Sequence, residues 1–339
     1  MSVDLTGRRI ALIGGAGFIG HNLALTLKKR GAAVEVVDSL QVNNLLSFQS
    51  QSAGIQRDLA ISILNERLDL LREAGVPLHP QDARDYHALS RILKEIRPQV
   101  IVQLAAVSHA GKSNKDPYST FDHSMRTLEN ALDYARTEAE HFVFMSSSMV
   151  YGNFESAEVT EDHPLNPIGI YGALKLGGEK LVIAYQQVFN LSYTIVRPSA
   201  LYGPRCVSRR VGQIFLEEAL AGRPLKIEGD GEERLDFTYI DDLVNGLCLA
   251  ISHPGARNQV FNMTHGAARS IAELVEVLKK QFPDVAVQHV PRDRLMPFRG
   301  TLNVDRARRL VGYEPAFPIE IGFAKYAEWY RRRAGGVKG

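Results

Sequence analysis

A glycine-rich turn near the amino terminus constrains the fold of this chain more than any other stretch. Residues 14–20 have the sequence Gly-Gly-Ala-Gly-Phe-Ile-Gly, directly after the apolar run 10–13 and before an amphipathic run. Gly14 can adopt a backbone conformation that a side chain would disfavour, Gly17 lets an anionic group approach the main chain, and Gly20 lets a helix pack close to a sheet. The pattern predicts a strand, a tight turn and a helix whose N-terminus offers unpaired N–H groups to a phosphate.

An acidic residue follows at the distance expected of a dinucleotide-binding unit. A second apolar run over 34–37 ends in Asp38, about 20 residues beyond the glycine-rich turn. A carboxylate at this strand end accepts hydrogen bonds from an adenosine ribose and repels a 2′-phosphate. The residues that follow, Ser39, Leu40 and Gln41, supply no cation for such a phosphate. The sequence therefore predicts NAD rather than NADP as cofactor, with a tight strand-to-helix turn that binds nothing as the alternative.

Composition and charge narrow the class of protein. The 339 residues are 45% apolar, enough for one large α/β domain with an appendage or for two modest domains. The 40 basic and 38 acidic residues are mixed along the chain, which argues against a nucleic-acid partner. We expect no signal peptide, no membrane span and a cytoplasmic location. The two cysteines, Cys206 and Cys248, fit no metal-ligand spacing, so we expect free thiols and no metal site.

The order of strands and helices predicts the fold class. Short apolar strands alternate with helical runs in the first half of the chain, which indicates an α/β fold with a Rossmann-type doubly wound parallel sheet. We expect residues 1–200 to form the NAD-binding domain, with later contributions near 236–265, and 201–339 to form mainly a smaller substrate-binding region. Residues 39–75 are long for one crossover and carry leucines at helical spacing. They are either an extra surface helix or a flap near the adenosine.

Candidate catalytic residues lie in the middle of the chain. Tyr171 and Lys175 lie one helical turn apart in a predicted helix, so their side chains share a face. A phenol is a poor base at neutral pH, but a neighbouring ammonium favours the phenolate. Such a phenolate can take a hydroxyl proton while the same carbon is oxidised. Ser147, after a predicted strand, can hydrogen-bond the reacting oxygen. The alternatives are a core aromatic at Tyr171 and a polar strand end at Ser147.

Together these motifs resemble the extended short-chain dehydrogenase/reductase superfamily, in its NAD-dependent nucleotide-sugar epimerase/dehydratase branch. Further matching segments cover nearly the whole chain and comprise 81–83, 104–106, 146–152, 171–175, 197–198, 201–205, 229–231 and 236–242. The resemblance implies bound NAD and a nucleoside diphosphate sugar as substrate. It also implies a homodimer, for which the helices over 118–137 and 171–189 are the expected interface.

The motifs and the resemblance together define the expected site residues. The catalytic residues are Ser147, Tyr171 and Lys175. The cofactor-binding residues are Gly14, Gly17, Phe18, Ile19, Gly20, Asp38, Ser39, Asp82, Ala83, Leu104, Ala105, Ala106, Tyr171, Lys175, Pro198 and Ser199. The substrate-binding residues are Ser108, Ser147, Ser148, Tyr171, Arg205, Arg209, Arg292 and Arg299.

Departures from the family pattern favour one reaction. Dehydratases follow the catalytic Ser or Thr with an Asp-Glu pair, and decarboxylating relatives keep the Glu, whereas this chain has Ser148 and Met149. Neither side chain can shuttle the proton that dehydration needs. The expected reaction is C4 epimerisation of a nucleoside diphosphate hexose through a 4-keto intermediate. The alternatives are an NAD-dependent dehydrogenase, reductase or decarboxylase acting on a nucleotide sugar or related alcohol, and a catalytically silent NAD-sensing module.

Two positions that usually bind the substrate's phosphates also differ. The Asn that usually lies two residues before Tyr202 is Ala200, and the Arg that usually precedes Asp236 is Leu235. Phosphate binding then falls to other arginines. The arginine-rich loop over 205–210 either binds a diphosphate or is a solvated surface loop.

Overall fold

The computed structural model describes residues 5–49, 55–107, 110–293 and 295–336. Its strands in chain order are β1 (Arg9–Ile13), β2 (Ala33–Asp38), β3 (Leu78–Pro80), β4 (Val100–Gln103), β5 (His141–Met145), β6 (Glu158–Val159), β7 (Tyr193–Arg197), β8 (Leu201–Tyr202), β9 (Leu225–Glu228), β10 (Arg234–Leu235), β11 (Thr238–Tyr239), β12 (Gln259–Asn262), β13 (Arg269–Ser270), β14 (Val287–Val290) and β15 (Thr301–Leu302). Its α-helices are α1 (Phe18–Lys29), α2 (Leu45–Gln49), α3 (Ile55–Glu73), α4 (Tyr86–Ile96), α5 (Ala110–Lys115), α6 (Pro117–Phe121), α7 (Thr127–Glu138), α8 (Gly169–Phe189), α9 (Val211–Leu220), α10 (Ile240–Ser252), α11 (Ile271–Lys279), α12 (Asp305–Val311) and α13 (Ile319–Gly336).

A parallel sheet lies at the centre of the fold. Over the described residues it has seven strands in the order β3-β2-β1-β4-β5-β7-β12. The ladder places Ile13, the last residue of β1, opposite Val37 of β2 on one side and Gln103 of β4 on the other. Because these strands are parallel, their carboxyl ends meet at one edge of the sheet, where open α/β folds bind ligands. The predicted α/β fold with a Rossmann-type doubly wound sheet is confirmed.

The strands are apolar on both faces because helices cover the sheet on both sides. Leu12 and Val102 belong to one hydrophobic cluster, which also takes in α1 and α10 and continues into the C-terminal helices. Ile13 and Ile101 point to the other face, where they pack with residues of α4, α7 and α8. This alternation makes both sheet faces part of the core.

The chain returns to the sheet late in its sequence. After α10, which packs against α1, strand β12 pairs with β7 and becomes the last strand of the sheet. The remaining short strands form two-stranded pairs: β8 with β11, β9 with β14, β10 with β13, and β6 with β15. No helix in the described part of the chain has the length and apolarity needed to cross a bilayer.

The helix predicted over 118–137 is interrupted in the structure. The sequence predicts a continuous helix over 118–137, but the structure has α6, a π-helical segment over Asp122–Arg126, and α7. A π-helical segment inserts a residue into the helical ladder and is common at functional sites. His123, within this segment, and Thr127, at the start of α7, line the cleft described below.

Candidate active site

The glycine-rich turn joins β1 to α1 with almost no space between neighbouring main-chain segments. Gly14 has a φ of +81°, and a Cβ there would lie 2.5 Å from the main-chain nitrogen of Ala105. A Cβ on Gly20 would lie 2.5 Å from the Cα of Gly15, whereas one on Gly17 would meet nothing closer than 3.3 Å. Two of the glycines are therefore required by packing. Gly17 is left as the N-cap of α1 without a side chain that would cap it or cover its N–H groups.

Asp38, the last residue of β2, contacts the glycine-rich turn. Its carboxylate accepts hydrogen bonds from the main-chain N–H groups of Ala16 at 2.9 Å and Leu40 at 2.8 Å. Burial raises the pKa of Asp38, and these two hydrogen bonds oppose the rise. Each carboxylate oxygen keeps a lone pair for another donor, such as a ribose hydroxyl.

A cleft lies at this edge of the sheet. Of the expected cofactor-binding residues, the cleft is lined by Gly14, Gly17, Phe18, Ile19, Gly20, Asp38, Ser39, Asp82, Ala83, Leu104, Ala105 and Ala106. The hydrogen bond from the Ala105 N–H to the Ile13 carbonyl, at 2.9 Å, holds the third segment against the first. Asp82 is itself engaged by Arg84, whose hydrogen bonds lower the pKa of that carboxyl.

The candidate catalytic residues lie on two elements that pack against each other. Ser147 is the N-cap of a short 3₁₀ turn over Ser148–Val150, and its Oγ accepts a hydrogen bond from Met149 N–H. The first turn of α8 lies against this turn, so closely that a Cβ on Gly172 would be 2.7 Å from the carbonyl oxygen of Met149. Ser147 and Tyr171 are both buried. They lie on the two elements that form this contact, Ser147 at the 3₁₀ turn and Tyr171 in α8.

Lys175 is held beneath the end of β5. Its Nζ donates to the carbonyl oxygen of Met145 at 2.6 Å and lies 6.0 Å from the centre of the Tyr171 ring. Burial lowers the pKa of Lys175 to about 8, and the carboxylate of Glu179 opposes the shift. Glu179 is in turn bound by both the Nε and the Nη2 of Arg197. This ion pair anchors α8 at its third turn, one turn beyond Lys175.

Pro198 and Ser199 follow β7, beside the candidate catalytic serine. The Ser148 N–H donates to the carbonyl oxygen of Pro198 at 3.0 Å, and Ser199 is buried. These two residues do not line the cleft, and neither do Tyr171 and Lys175. They lie instead at the neighbouring strand ends, β5 and β7, and at the start of α8.

The candidate substrate arginines separate into two places. Arg299 is largely buried and donates from Nη2 to Glu233 at 2.8 Å. Burial lowers the pKa of Arg299, Glu233 opposes this, and the nearby Arg210 and Arg292 lower it further. The guanidinium of Arg292 lies over the Phe298 ring at 4.1 Å from its centre. Arg210, Arg292 and Arg299 therefore form one cationic cluster, in which Arg299 is paired with Glu233.

The other two predicted arginines contact different parts of the fold. Arg205 donates to His21 at 3.0 Å and to Asn22 at 3.1 Å, both in the first turns of α1. Arg209 forms an ion pair of 2.7 Å with Glu217 of α9. The structure does not bring these two side chains into contact with Arg299. Ser108 lies outside the described residues.

The cleft is also lined by residues that the sequence analysis did not assign to the cofactor. They are Val37, Val42, Asn43, Arg67, Gln81, His123, Thr127, Leu201, Val207, Ser208 and Arg210. Arg67 comes from α3, within the long crossover, so this segment is more than a surface helix. The only sequence signal was the unusual length of the crossover, because leucines at helical spacing do not reveal what the opposite face of a helix touches.

This combination of fold and site defines a class of enzyme. A Rossmann sheet with a glycine cradle, an acidic residue after β2 and a Tyr/Lys pair at the carboxyl edge is the arrangement of a dinucleotide-dependent oxidoreductase of the short-chain type. Two features of the cleft fit an anionic dinucleotide: the bare turn at Gly17 and a buried guanidinium at Arg67.

The particular family follows from comparison with known sequences. The profile of the NAD dependent epimerase/dehydratase family matches residues 10–264, and the chain belongs to this family, whose cofactor is NAD. The chain is 30% identical to a UDP-glucose 4-epimerase of Mycolicibacterium smegmatis over 335 residues, which cover 96% of this chain and 99% of the relative.

Solved structures agree with this assignment. A UDP-glucose 4-epimerase of Thermotoga maritima, solved with UDP-glucose, superposes with a TM-score of 0.80 at 27% identity and covers 96% of this chain and 99% of its own. A UDP-glucuronic acid 4-epimerase of Bacillus cereus, in complex with UDP-glucuronic acid and NAD, has a TM-score of 0.84 at 23% identity, with the same coverage. The second similarity concerns the fold alone.

Proposed function

We propose that this protein is an NAD-dependent epimerase that inverts C4 of a nucleoside diphosphate hexose through a 4-keto intermediate. The observation that carries the proposal is the pairing of Ser147 with Tyr171 and Lys175 across the contact between the 3₁₀ turn and α8, with buried Met149 beside them. These side chains can take the proton of one hydroxyl group and return it while the carbon that carries the hydroxyl is oxidised and then reduced. The two positions after Ser147 lack the acid and base with which dehydratases eliminate water.

The chain's own residues perform the proton transfers of this reaction. When bound, NAD supplies the oxidation of C4 and its later reduction. Tyr171 Oη takes the proton of the C4 hydroxyl during oxidation and returns it after the sugar has turned. Lys175, with a pKa of about 8, is still largely protonated at pH 7 and favours the phenolate. Ser147 Oγ donates a hydrogen bond to the C4 oxygen and holds it beside Tyr171.

The diphosphate of the substrate is proposed to bind the cationic cluster of Arg210, Arg292 and Arg299. A guanidinium suits this role because it donates two parallel hydrogen bonds to a phosphate. The two positions that usually bind phosphate in the family are Leu235 and Ala200 here, and the cluster supplies positive charge in their place, partly compensated by Glu233. The side chains of Arg205 and Arg209 already bind α1 and Glu217, so either one would have to break these contacts to bind the diphosphate.

The relatives and the sequence both favour epimerisation over a net redox reaction. The Mycolicibacterium and Thermotoga relatives are named as UDP-glucose 4-epimerases. The test is incubation of the full chain with UDP-, GDP-, dTDP- and CDP-hexoses, with products identified by NMR and NADH followed by absorbance. We expect a C4 epimer to form without accumulation of NADH. Stoichiometric NADH with an oxidised or decarboxylated sugar would instead establish the dehydrogenase or decarboxylase.

We also propose that the protein is a cytoplasmic homodimer. Tyr118 and Phe121 on α6 are exposed, as are Val188 and Phe189 near the end of α8, and α6 contacts α8. Large apolar side chains exposed on adjacent helices favour a helix-to-helix interface with a second copy. Light scattering after size exclusion tests this: Tyr118→Asp is expected to shift the mass from dimer to monomer.

The free thiols of both cysteines suit a reducing compartment.

A further inference from the structure

A buried arginine in the wall of the cleft has unused hydrogen-bonding capacity. Arg67, on the long helix α3, is only 1% exposed. Its Nε donates to the carbonyl oxygen of Arg205 at 2.9 Å, and its Nη2 donates to the same oxygen. Its Nη1 is buried and has no hydrogen-bond partner within the described ranges. A buried donor without a partner is costly in a finished fold, so this nitrogen needs an acceptor that the chain does not supply.

The positive charge of Arg67 is only partly compensated. No carboxylate of the described residues lies within ion-pair distance of its guanidinium, although Asp38 is near enough to stabilise the charge. The carboxylate of Asp38 already accepts from the main-chain N–H groups of Ala16 and Leu40. Burial lowers the pKa of Arg67 to about 10, which still leaves the guanidinium charged at neutral pH. Buried charges in proteins are normally paired, and this one calls for an anion.

The position of Arg67 indicates which anion. Arg67 lines the same cleft as Gly17 and Gly20. The residue that anchors it, Arg205, extends its own side chain to His21 and Asn22 in the first turns of α1. The guanidinium is therefore held next to the helix N-terminus at which a pyrophosphate binds. A cation opposite that N-terminus completes an anion site with positive charge on two sides.

We propose that Arg67 is a cofactor-binding residue supplied by the long crossover, and that its Nη1 donates a hydrogen bond to a pyrophosphate oxygen of the bound dinucleotide. The proposal rests on NAD as cofactor but on nothing about the sugar. It gives residues 39–75 a role in holding the cofactor. It also makes α3 part of the cofactor site, because Arg67 and Glu66 both tie this helix to Arg205.

The test compares Arg67→Gln with a matched control on the same helix. Glu66→Gln removes ion pairs of α3 to Arg205 and Arg333 but leaves the guanidinium of Arg67 in place. The binding of adenosine, ADP and NAD to the full chain is measured by calorimetry, and loss of bound NAD is followed by exchange with labelled NAD. Because a hydrogen bond to a charged group contributes about 1.5–3 kcal/mol, Arg67→Gln is expected to weaken ADP and NAD by about 10- to 100-fold. Adenosine, which has no phosphate, should bind within about twofold of wild type.

Several outcomes would overturn the proposal. Unchanged NAD exchange in Arg67→Gln would show that the guanidinium does not contact the cofactor. An equal loss of adenosine and ADP affinity, or an equal effect of Glu66→Gln, would show that Arg67 only docks α3. Tighter wild-type binding of NADP than of NAD would assign the cation to a 2′-phosphate instead. If Arg67→Gln does not fold, Arg67→Lys keeps the charge with fewer donors and must show the same selective loss for ADP over adenosine. Failure to epimerise sugars would not affect these results.

Discussion

The close packing at Gly14 predicts that one added methyl group there destabilises the fold. An alanine there would have to keep a φ of +81° and place its Cβ 2.5 Å from the main-chain nitrogen and 2.7 Å from the Cα of Ala105. Left-handed backbone costs a non-glycine residue about 1–2 kcal/mol, and overpacking against an immobile neighbour costs about 1–3 kcal/mol. Gly14→Ala should therefore lower the free energy of unfolding by about 2–5 kcal/mol.

Two control variants separate the parts of this cost. Gly222 has a similar φ of +66° with nothing within 4 Å of its Cβ position, so Gly222→Ala reports backbone strain alone. That strain is partly offset by the reduced freedom of the unfolded chain, and we expect a loss of about 1 kcal/mol or less. Gly17→Ala, with its nearest contact at 3.3 Å and no positive φ, should leave stability within about 1 kcal/mol but weaken NAD, because the methyl group covers the phosphate site.

Urea unfolding of the full chain, without cofactor and then with saturating NAD, measures both effects. The argument fails if Gly14→Ala is no less stable than Gly222→Ala, because the contact between the first turn and Ala105 would then be looser than the geometry indicates. It also fails if Gly17→Ala destabilises the chain as much as Gly14→Ala does.

Three further predictions concern catalysis, pH and charge. Tyr171→Phe should lower epimerase turnover by about 10²–10⁴-fold with NAD still bound, and unchanged turnover would remove Tyr171 as the base. Burial lowers the pKa of His141 from 6.5 to about 4. Between pH 6.5 and pH 4, this histidine therefore binds a proton in the unfolded chain but not in the folded chain. Stability should then fall as the pH drops from 6.5 to 4, by up to about 3 kcal/mol from this residue, and His141→Gln should flatten the urea midpoint against pH. Glu233→Gln removes the carboxylate that competes for Arg299 and should tighten UDP binding about 10-fold in calorimetry, whereas the surface variant Glu276→Gln should not.

The first crossover was predictable because its determinants are local. The order of an apolar run, spaced glycines, a helix and an acidic strand end defines a dinucleotide-binding unit within one stretch of chain. The same holds for Tyr171 and Lys175, whose spacing alone places them on one helix face. Their anchoring was not predictable: the hydrogen bond from Lys175 to Met145 joins residues 30 positions apart.

Long-range charge pairing explains what sequence reasoning left undecided. Arg299 and Glu233 are 66 positions apart, and Arg67 and Arg205 are 138 apart. Neither contact follows from propensity or periodicity. Counting arginines in the loop over 205–210 could not distinguish Arg210, which lies near Arg299, from Arg205, which turns to α1. The distinction depends on contacts between residues that are far apart in the sequence.

The two anion sites inferred here differ in how their charge is compensated, and the difference fits the proposed reaction. In the cofactor cleft, Arg67 is buried and no carboxylate of the described residues lies at ion-pair distance, so a bound pyrophosphate has no partner to displace. In the substrate site, Arg299 already has Glu233 as a partner, and an incoming diphosphate must compete with it. Epimerisation leaves the cofactor in its starting oxidation state after each turnover, whereas the nucleotide sugar must be exchanged. Tight binding of the cofactor is therefore useful, whereas tight binding of the nucleotide sugar would slow its release. A cation without a carboxylate partner, Arg67, suits the cofactor cleft. A cation already paired with a carboxylate, Arg299, suits the substrate site.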